Sequence, residues 1–112
     1  MKQLKSRESL SMSETKIFIT ATITVEPKMF ASLEPVLRDC ADLSQKEAAC
    51  LRYEVGADVQ KVGRFVLSEI WENEAGFKAH LATAHFKKLG ETLKKLSGVL
   101  DVIQTTPFST MP

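Results

Sequence analysis

The chain has two histidines and one tryptophan, and all three lie in the stretch EIWENEAGFKAHLATAHF, Glu69 to Phe86. A carboxylate, an indole and two imidazoles gathered so closely are residue types suited to acid–base chemistry. His80 is the first candidate base: it follows Phe77 and precedes Leu81 at the border of an apolar stripe. A neutral imidazole near pH 7 can take a proton from a phenol or an α-hydroxyketone. The competing reading is a histidine that only hydrogen-bonds across a helix–sheet seam. Glu69 is the second candidate, because a carboxylate sharing a strand face with Phe65, Leu67 and Trp71 needs a hydrogen-bond or charge partner. Arg52, Arg64 and His80 are the options for that partner. If it is His80, the acid would orient the imidazole and favour its protonated form. Trp71 reads as core, or as a pocket wall that stacks on a planar substrate. Tyr53 could donate to a substrate oxygen, but packing with its hydroxyl at a rim is the favoured reading.

His85 comes five residues after His80, about 140° away on an unbroken helix, so the pair is no i, i+4 metal clamp. A break at Ala82–Ala84 could bring the two together. No third ligand stands at a suitable spacing, however, and no metal is expected. His85 therefore reads as a polar group opening a second helical segment.

These side chains must be carried by regular elements, and the pattern supplies them. KIFITATITV, residues 16–25, alternates strictly and predicts a first strand with Ile17, Ile19, Ala21, Ile23 and Val25 on its buried face. After Pro27, the apolar residues from Met29 to Leu43 recur at three and four, a first amphipathic helix. Pro35 inside it should kink it or delay its regular start. Ser44 and Glu47 have capping-box spacing, but no apolar helical run follows, so SQKEAA reads as the connection out of that helix. CLRYEV and RFVLSEIWE, joined by GADVQKVG, form a hairpin in which Leu51, Tyr53 and Val55 share one face. Asn73 caps a helix that continues past the ATA interruption to Gly98, and VLDVIQTTPF is the last strand. The order strand, helix, strand, strand, helix, strand is that of a ferredoxin-like α+β sandwich, βαββαβ, with both helices on one face of an antiparallel sheet. The opposite sheet face carries large apolar groups that call for a ligand or a second subunit.

The 112 residues fit one domain, assigned to 15–108, with a polar leader at 1–14, expected to be disordered, and a tail at 109–112. Fifteen basic and fourteen acidic residues, scattered along the chain, argue against nucleic acid as a partner. Two cysteines without a CxxC or Cys/His spacing suit a reducing, cytoplasmic setting. No window approaches the roughly 20 apolar residues of a membrane span.

EAACLRYEV followed by SEIWENEAGFKAHLATAHF resembles the antibiotic biosynthesis monooxygenase family of dimeric α/β barrel proteins. That family commonly shows Glu-Pro-Gly-Cys-Leu-x-Tyr, then Glu-x-Trp, His-Leu and Ser/Thr-x-His-Phe in this order. Ala48 and Ala49 stand where proline and glycine are usual, so the connection there is expected to run on as a helical extension. The resemblance implies a homodimer paired through its sheets, and a pocket between sheet and helices that His85 helps to line. It also implies oxidation of phenols or quinols by molecular oxygen without metal or flavin. The haem-degrading branch does not fit, since the first strand lacks its asparagine and position 80 is not tryptophan. The expectation is thus a cofactor-independent monooxygenase with His80 and Glu69 as catalytic residues. Trp71, Tyr53, Phe65 and His85 would contact a small phenolic, quinol or enolisable substrate. An isomerase of a small phosphorylated metabolite and a non-catalytic dimeric ligand-binding module are the alternatives.

Overall fold

The computed structural model describes residues 15–108. The readings for residues 1–14 and 109–112 lie outside the described residues. Strand β1 (Ile17–Thr24) is followed by a 3₁₀ turn (Pro27–Met29) and helix α1 (Phe30–Gln45); then come β2 (Cys50–Ala57) and β3 (Arg64–Trp71). Two short helices, α2 (Glu74–Leu81) and α3 (Ala84–Lys95), lead to β4 (Val99–Thr105). The four strands form one antiparallel sheet in the order β2-β3-β1-β4. This is the ferredoxin-like α+β architecture the periodicities predict.

The alternation of β1 is realised as written: Ile17, Ile19, Ala21 and Ile23 are buried, and the residues between them are not. Opposite them on β3, Phe65, Leu67, Glu69 and Trp71 are buried, with Ile19 paired to Glu69 and Ile17 to Trp71. Helix α1 adds Leu33, Leu37, Cys40 and Ser44 to the same core, and α3 adds Leu89 and Leu93. Helix α1 runs on through Pro35. Its regular start at Phe30 lies ahead of Pro35, so the proline does not delay the helix as expected.

Two local readings change. The alternation of β2 is interrupted by a shift of register between Cys50 and Arg52. Cys50 pairs with Trp71 and Tyr53 with Glu69, so both lie on the helix-covered face, while Leu51 is half exposed. One extra residue in a strand reverses the side-chain alternation beyond it. At the end of α3 the left-handed residue is Ser97, φ 56°, not Gly98. The Gly98 amide closes the helix on the Leu93 carbonyl at 2.7 Å, and a Cβ on Gly98 would stand 3.0 Å from both Leu93 and Val25 side chains. The lack of a Cβ at Gly98 suits this close packing.

Candidate active site

The stretch Glu69–Phe86 is built from the end of β3, all of α2 and the first turn of α3. Asn73 caps α2 as the sequence suggests, its side-chain oxygen accepting from the Gly76 amide at 2.8 Å. The helix then stops at Leu81. Thr83, extended at φ −73° and ψ 154°, accepts from the Phe86 amide at 3.2 Å and so caps α3, while its hydroxyl donates to the His80 carbonyl at 2.7 Å. This break removes the separation of about 140° that one helix would impose, and the His80 and His85 rings come to 6.0 Å centroid to centroid.

What lies between them is a residue the sequence reading passes over. Oε2 of Glu47 is 2.7 Å from Nδ1 of His80 and 2.7 Å from Nε2 of His85. An ionised carboxylate only accepts, so both imidazoles donate N–H to it. His80 is thereby held as its Nδ1–H tautomer, with Nε2 left for a ligand. The expectation that no third ligand-type residue accompanies the histidines is corrected by the fold: these three ligand atoms lie within 4.8 Å of one another. Glu47 is distant in sequence and sits in a turn, so no periodicity marks it. The available signal was its place at the head of EAACLRYEV, where it matches the glutamate of the family segment although the next two residues do not.

The turn carrying Glu47 is not the helical extension expected from Ala48 and Ala49. Helix α1 ends at Gln45, and the chain turns through bonds from the Glu47 amide to the Ser44 carbonyl and from the Cys50 amide to the Glu47 carbonyl. The turn forms without any residue of positive φ, which is why alanine serves in place of glycine. It is pinned to the connection between β3 and α2 by the Glu72 amide bonding the Ala49 carbonyl at 2.9 Å. A Cβ on Gly76 would fall 2.3 Å from Cβ of Ala49. Gly76→Ala is therefore expected to lower stability by about 1–3 kcal/mol, as overpacking does, and Ala49→Gly in the same chain should restore much of the loss. Chemical denaturation of the single and double variants checks this; a single variant as stable as wild type would refute the close approach.

His80 is 1% exposed. Its ring stacks on Trp71 at 4.4 Å and 29°, and Tyr53, Phe77 and Phe86 surround it. Burial lowers its pKa from the ordinary value, against the pull of the Glu47 hydrogen bond and charge, and so favours the neutral imidazole. Glu69 does not bond His80, Arg52 or Arg64. Its partner is the indole of Trp71, whose Nε1–H donates to Oε1 at 2.9 Å. Arg52 is instead bonded to Glu54 and Arg64 to Asp58, since both arginines lie on exposed positions of the hairpin. Burial raises the Glu69 pKa, the indole bond opposes the rise, and the charge of Glu47 adds to it.

His80 and Glu69 line one cavity between sheet and helices, with Tyr53, Phe77, Leu81 and Phe86 among its other walls. Its volume is about 40 Å³, room for dioxygen or water but far below the roughly 300–1,000 Å³ of drug-sized ligand sites. Of the remaining candidates, Trp71 is fully buried behind His80. Tyr53 lines the cavity, but its hydroxyl is 3.8 Å from the buried Cys40 sulfur and not at a rim. Burial holds that phenol well above its usual pKa, as a neutral group. His85 reaches the site only through Glu47. Phe65 is elsewhere: it stacks on Phe30 at 5.5 Å and lines an open groove of about 330 Å³ between α1 and β2, together with Glu34, Arg38 and Gln45. The larger hollow thus lacks the histidines and Glu69, and the convergence of polar groups favours the smaller one as the chemical site.

Fold and motif together define the class. Residues 16–92 match the model of the antibiotic biosynthesis monooxygenase family, and the chain belongs to that family. YcnE of Bacillus subtilis (strain 168), provisionally named a monooxygenase, is 31% identical over 90 residues, covering 80% of this chain and 95% of YcnE. The crystal structure of PA3566 from Pseudomonas aeruginosa superposes with a TM-score of 0.78 at 29% identity, covering 88% of this chain and 99% of that one. SnoaB from Streptomyces nogalater, a cofactor-independent oxygenase solved as a mutant, has the same fold at a TM-score of 0.72 and 20% identity, with coverage of 87% and 97%. No helix among the described residues is long and apolar enough to cross a membrane.

Proposed function

We propose that the chain is a cytoplasmic, homodimeric, cofactor-independent monooxygenase acting on a small phenolic, quinol or otherwise enolisable compound. One observation carries the reading: a buried imidazole has one nitrogen fixed by a carboxylate and the other left for a ligand in the cavity it lines. Nε2 of His80 takes the acidic proton of the substrate, and Glu47 holds the resulting imidazolium in place. The electron-rich anion reduces dioxygen and forms a carbon–oxygen bond at an activated CH₂. The peroxide is protonated by the imidazolium and loses water to leave a carbonyl, so the substrate supplies all the electrons and His80 ends neutral. Glu69, on the same cavity wall, is a proton donor to the developing oxyanion when it is protonated. A planar substrate requires the walls at Leu81, Phe86 and Val102 to open.

The test is oxygen uptake with a panel of quinols and anthrone-type phenols. Saturable uptake that His80→Ala reduces at least about 10²-fold supports the mechanism; uptake unchanged in that variant removes His80 from it. The small cavity favours one second reading, a dimeric binding module without catalysis, to which absence of uptake across the panel would point. An isomerase of a phosphorylated compound has less support, because among the described residues no lysine or arginine lines the cavity.

The dimer is proposed on the sheet face away from the helices. There the register sets Phe18 beside Ile70, Thr20 between Ser68 and Ile103, and Thr22 between Val66 and Asp101. Val66 is 40% exposed and Ile103 59%, apolar groups on a mixed face of the kind that partners cover. Sedimentation velocity is expected to give twice the 12.5 kDa chain mass, and Ile103→Lys to shift it to monomer. A monomeric wild-type chain at micromolar concentration would sink the proposal.

A further inference from the structure

We propose that Glu47, His80 and His85 form a binding site for a divalent metal ion of the zinc class, and that binding silences His80 as a base by moving its single proton from Nδ1 to Nε2. The switching half rests on the functional reading above; the site itself does not.

Two imidazole nitrogens and a carboxylate oxygen converge within 4.8 Å, a donor set of borderline softness suited to Zn²⁺ and Co²⁺. Their hydrogen bonds of 2.7 Å are shorter than the separation of about 3.3 Å between ligand atoms held about 2.0 Å from a tetrahedral ion. Seating an ion therefore needs Glu47 to draw back by about half an ångström and the two imidazole nitrogens, within 4.8 Å of each other, to close by up to about 1.5 Å, and Glu47 and His85 are the residues placed to move. Glu47 stands in a turn and is 16% exposed at its side chain, as His85 is at 15%. His80, sealed at 1% and stacked on Trp71, is the fixed corner. The ion would sit on the outer side of the His80 ring, with the cavity at the other nitrogen, and solvent would complete its coordination.

The proton count gives the consequence. The Nδ1 of His80 faces Glu47, and as donor to that carboxylate it carries the ring's proton. A metal ion needs that nitrogen's lone pair, so in His80 the proton leaves it and returns through solvent to the other nitrogen. In His80 that other nitrogen is Nε2, which as N–H can no longer accept a substrate proton. Metal and base activity are then mutually exclusive at one side chain.

The experiment titrates untagged, EDTA-stripped protein with Co²⁺, followed by displacement with Zn²⁺. One Co²⁺ per chain with the visible bands of a nitrogen–oxygen site is expected. His85→Ala and Glu47→Gln, each confirmed folded by circular dichroism, should weaken binding by more than the about 10–100-fold that losing an outer hydrogen-bond partner of a ligand costs. Binding that survives either variant, or a stoichiometry far below one, overturns the site. Long-range ¹H–¹⁵N spectra of histidine-labelled protein read the tautomer directly: His80 should pass from Nδ1–H to Nε2–H at saturating Zn²⁺, and an unchanged tautomer overturns the switch. This readout needs no substrate, so an absence of oxygen uptake would refute the functional reading without touching it. Where uptake is found, it should be inhibited by Zn²⁺ and recovered with EDTA.

Discussion

Glu47→Gln is expected to lower kcat for oxygen uptake about 10²–10⁴-fold while KM moves little. The amide has nearly the shape of the carboxylate, and its oxygen can still accept from Nδ1 of His80. What it lacks is the negative charge that stabilises the imidazolium once the substrate proton has arrived at Nε2. The ground state, in which His80 is neutral, depends less on that charge, so binding is largely spared and the loss falls on the step in which charge develops. Steady-state kinetics on the variant separate the two quantities. A Glu47 that merely tethered the turn to α2 would show the reverse pattern, a drop in melting temperature with kcat kept within a few-fold. That outcome would reduce Glu47 to a structural role.

Trp71→Phe should cost about 3–4 kcal/mol of stability at neutral pH, combining lost core volume with a buried carboxylate deprived of its donor. Glu69 is 6% exposed, and the indole N–H is its only hydrogen-bond partner among the described residues. The pH dependence follows from the direction of its shift. Its folded pKa lies above the unfolded one, so the native state holds the proton more tightly. Stability is full below the unfolded value and falls as pH rises through the folded one. Without the indole bond, which opposes the rise, the folded pKa climbs further and the falling limb lengthens at about 1.4 kcal/mol per unit. The deficit against wild type should accordingly shrink at pH 4 and widen towards pH 8, and Glu69→Gln in either background should flatten the limb. Denaturation curves at several pH values check this, and a deficit independent of pH would mean that only volume was lost.

The outline of the fold was legible because each element imposes its own period on the sequence. The alternation of β1 named every buried residue from Ile17 to Val25, and Asn73 marked the start of α2 from its residue type and position alone. Reading failed where a side chain's partner is set by three-dimensional closeness. Glu69 was matched with charges on its own hairpin or with His80, yet the donor proved to be the neutral indole two residues along the same strand face. Glu47 reads as linker in the sequence, since a turn residue 33 positions from His80 leaves no repeating trace. Leu51 was placed on the wrong face because a bulge adds one residue without altering composition. The break at ATA was visible, but whether it would join the two histidines depended on the cap geometry of Thr83.

That cap makes Thr83 a phase coupling between two rotors. Its hydroxyl and amide both engage the His80 carbonyl, at 2.7 and 3.1 Å, while its side-chain oxygen starts the next helix. The azimuth of His85 about α3 is thus referenced to His80. Adding or deleting a residue elsewhere in α3 beyond Phe86 leaves this alignment alone. One residue inserted between Thr83 and Ala84 would move His85 one position along α3 from its cap, about 100° round that helix, and uncouple it from Glu47, with both helices still intact. The histidine pair is tolerant of change in its helices and intolerant of change in a two-residue joint.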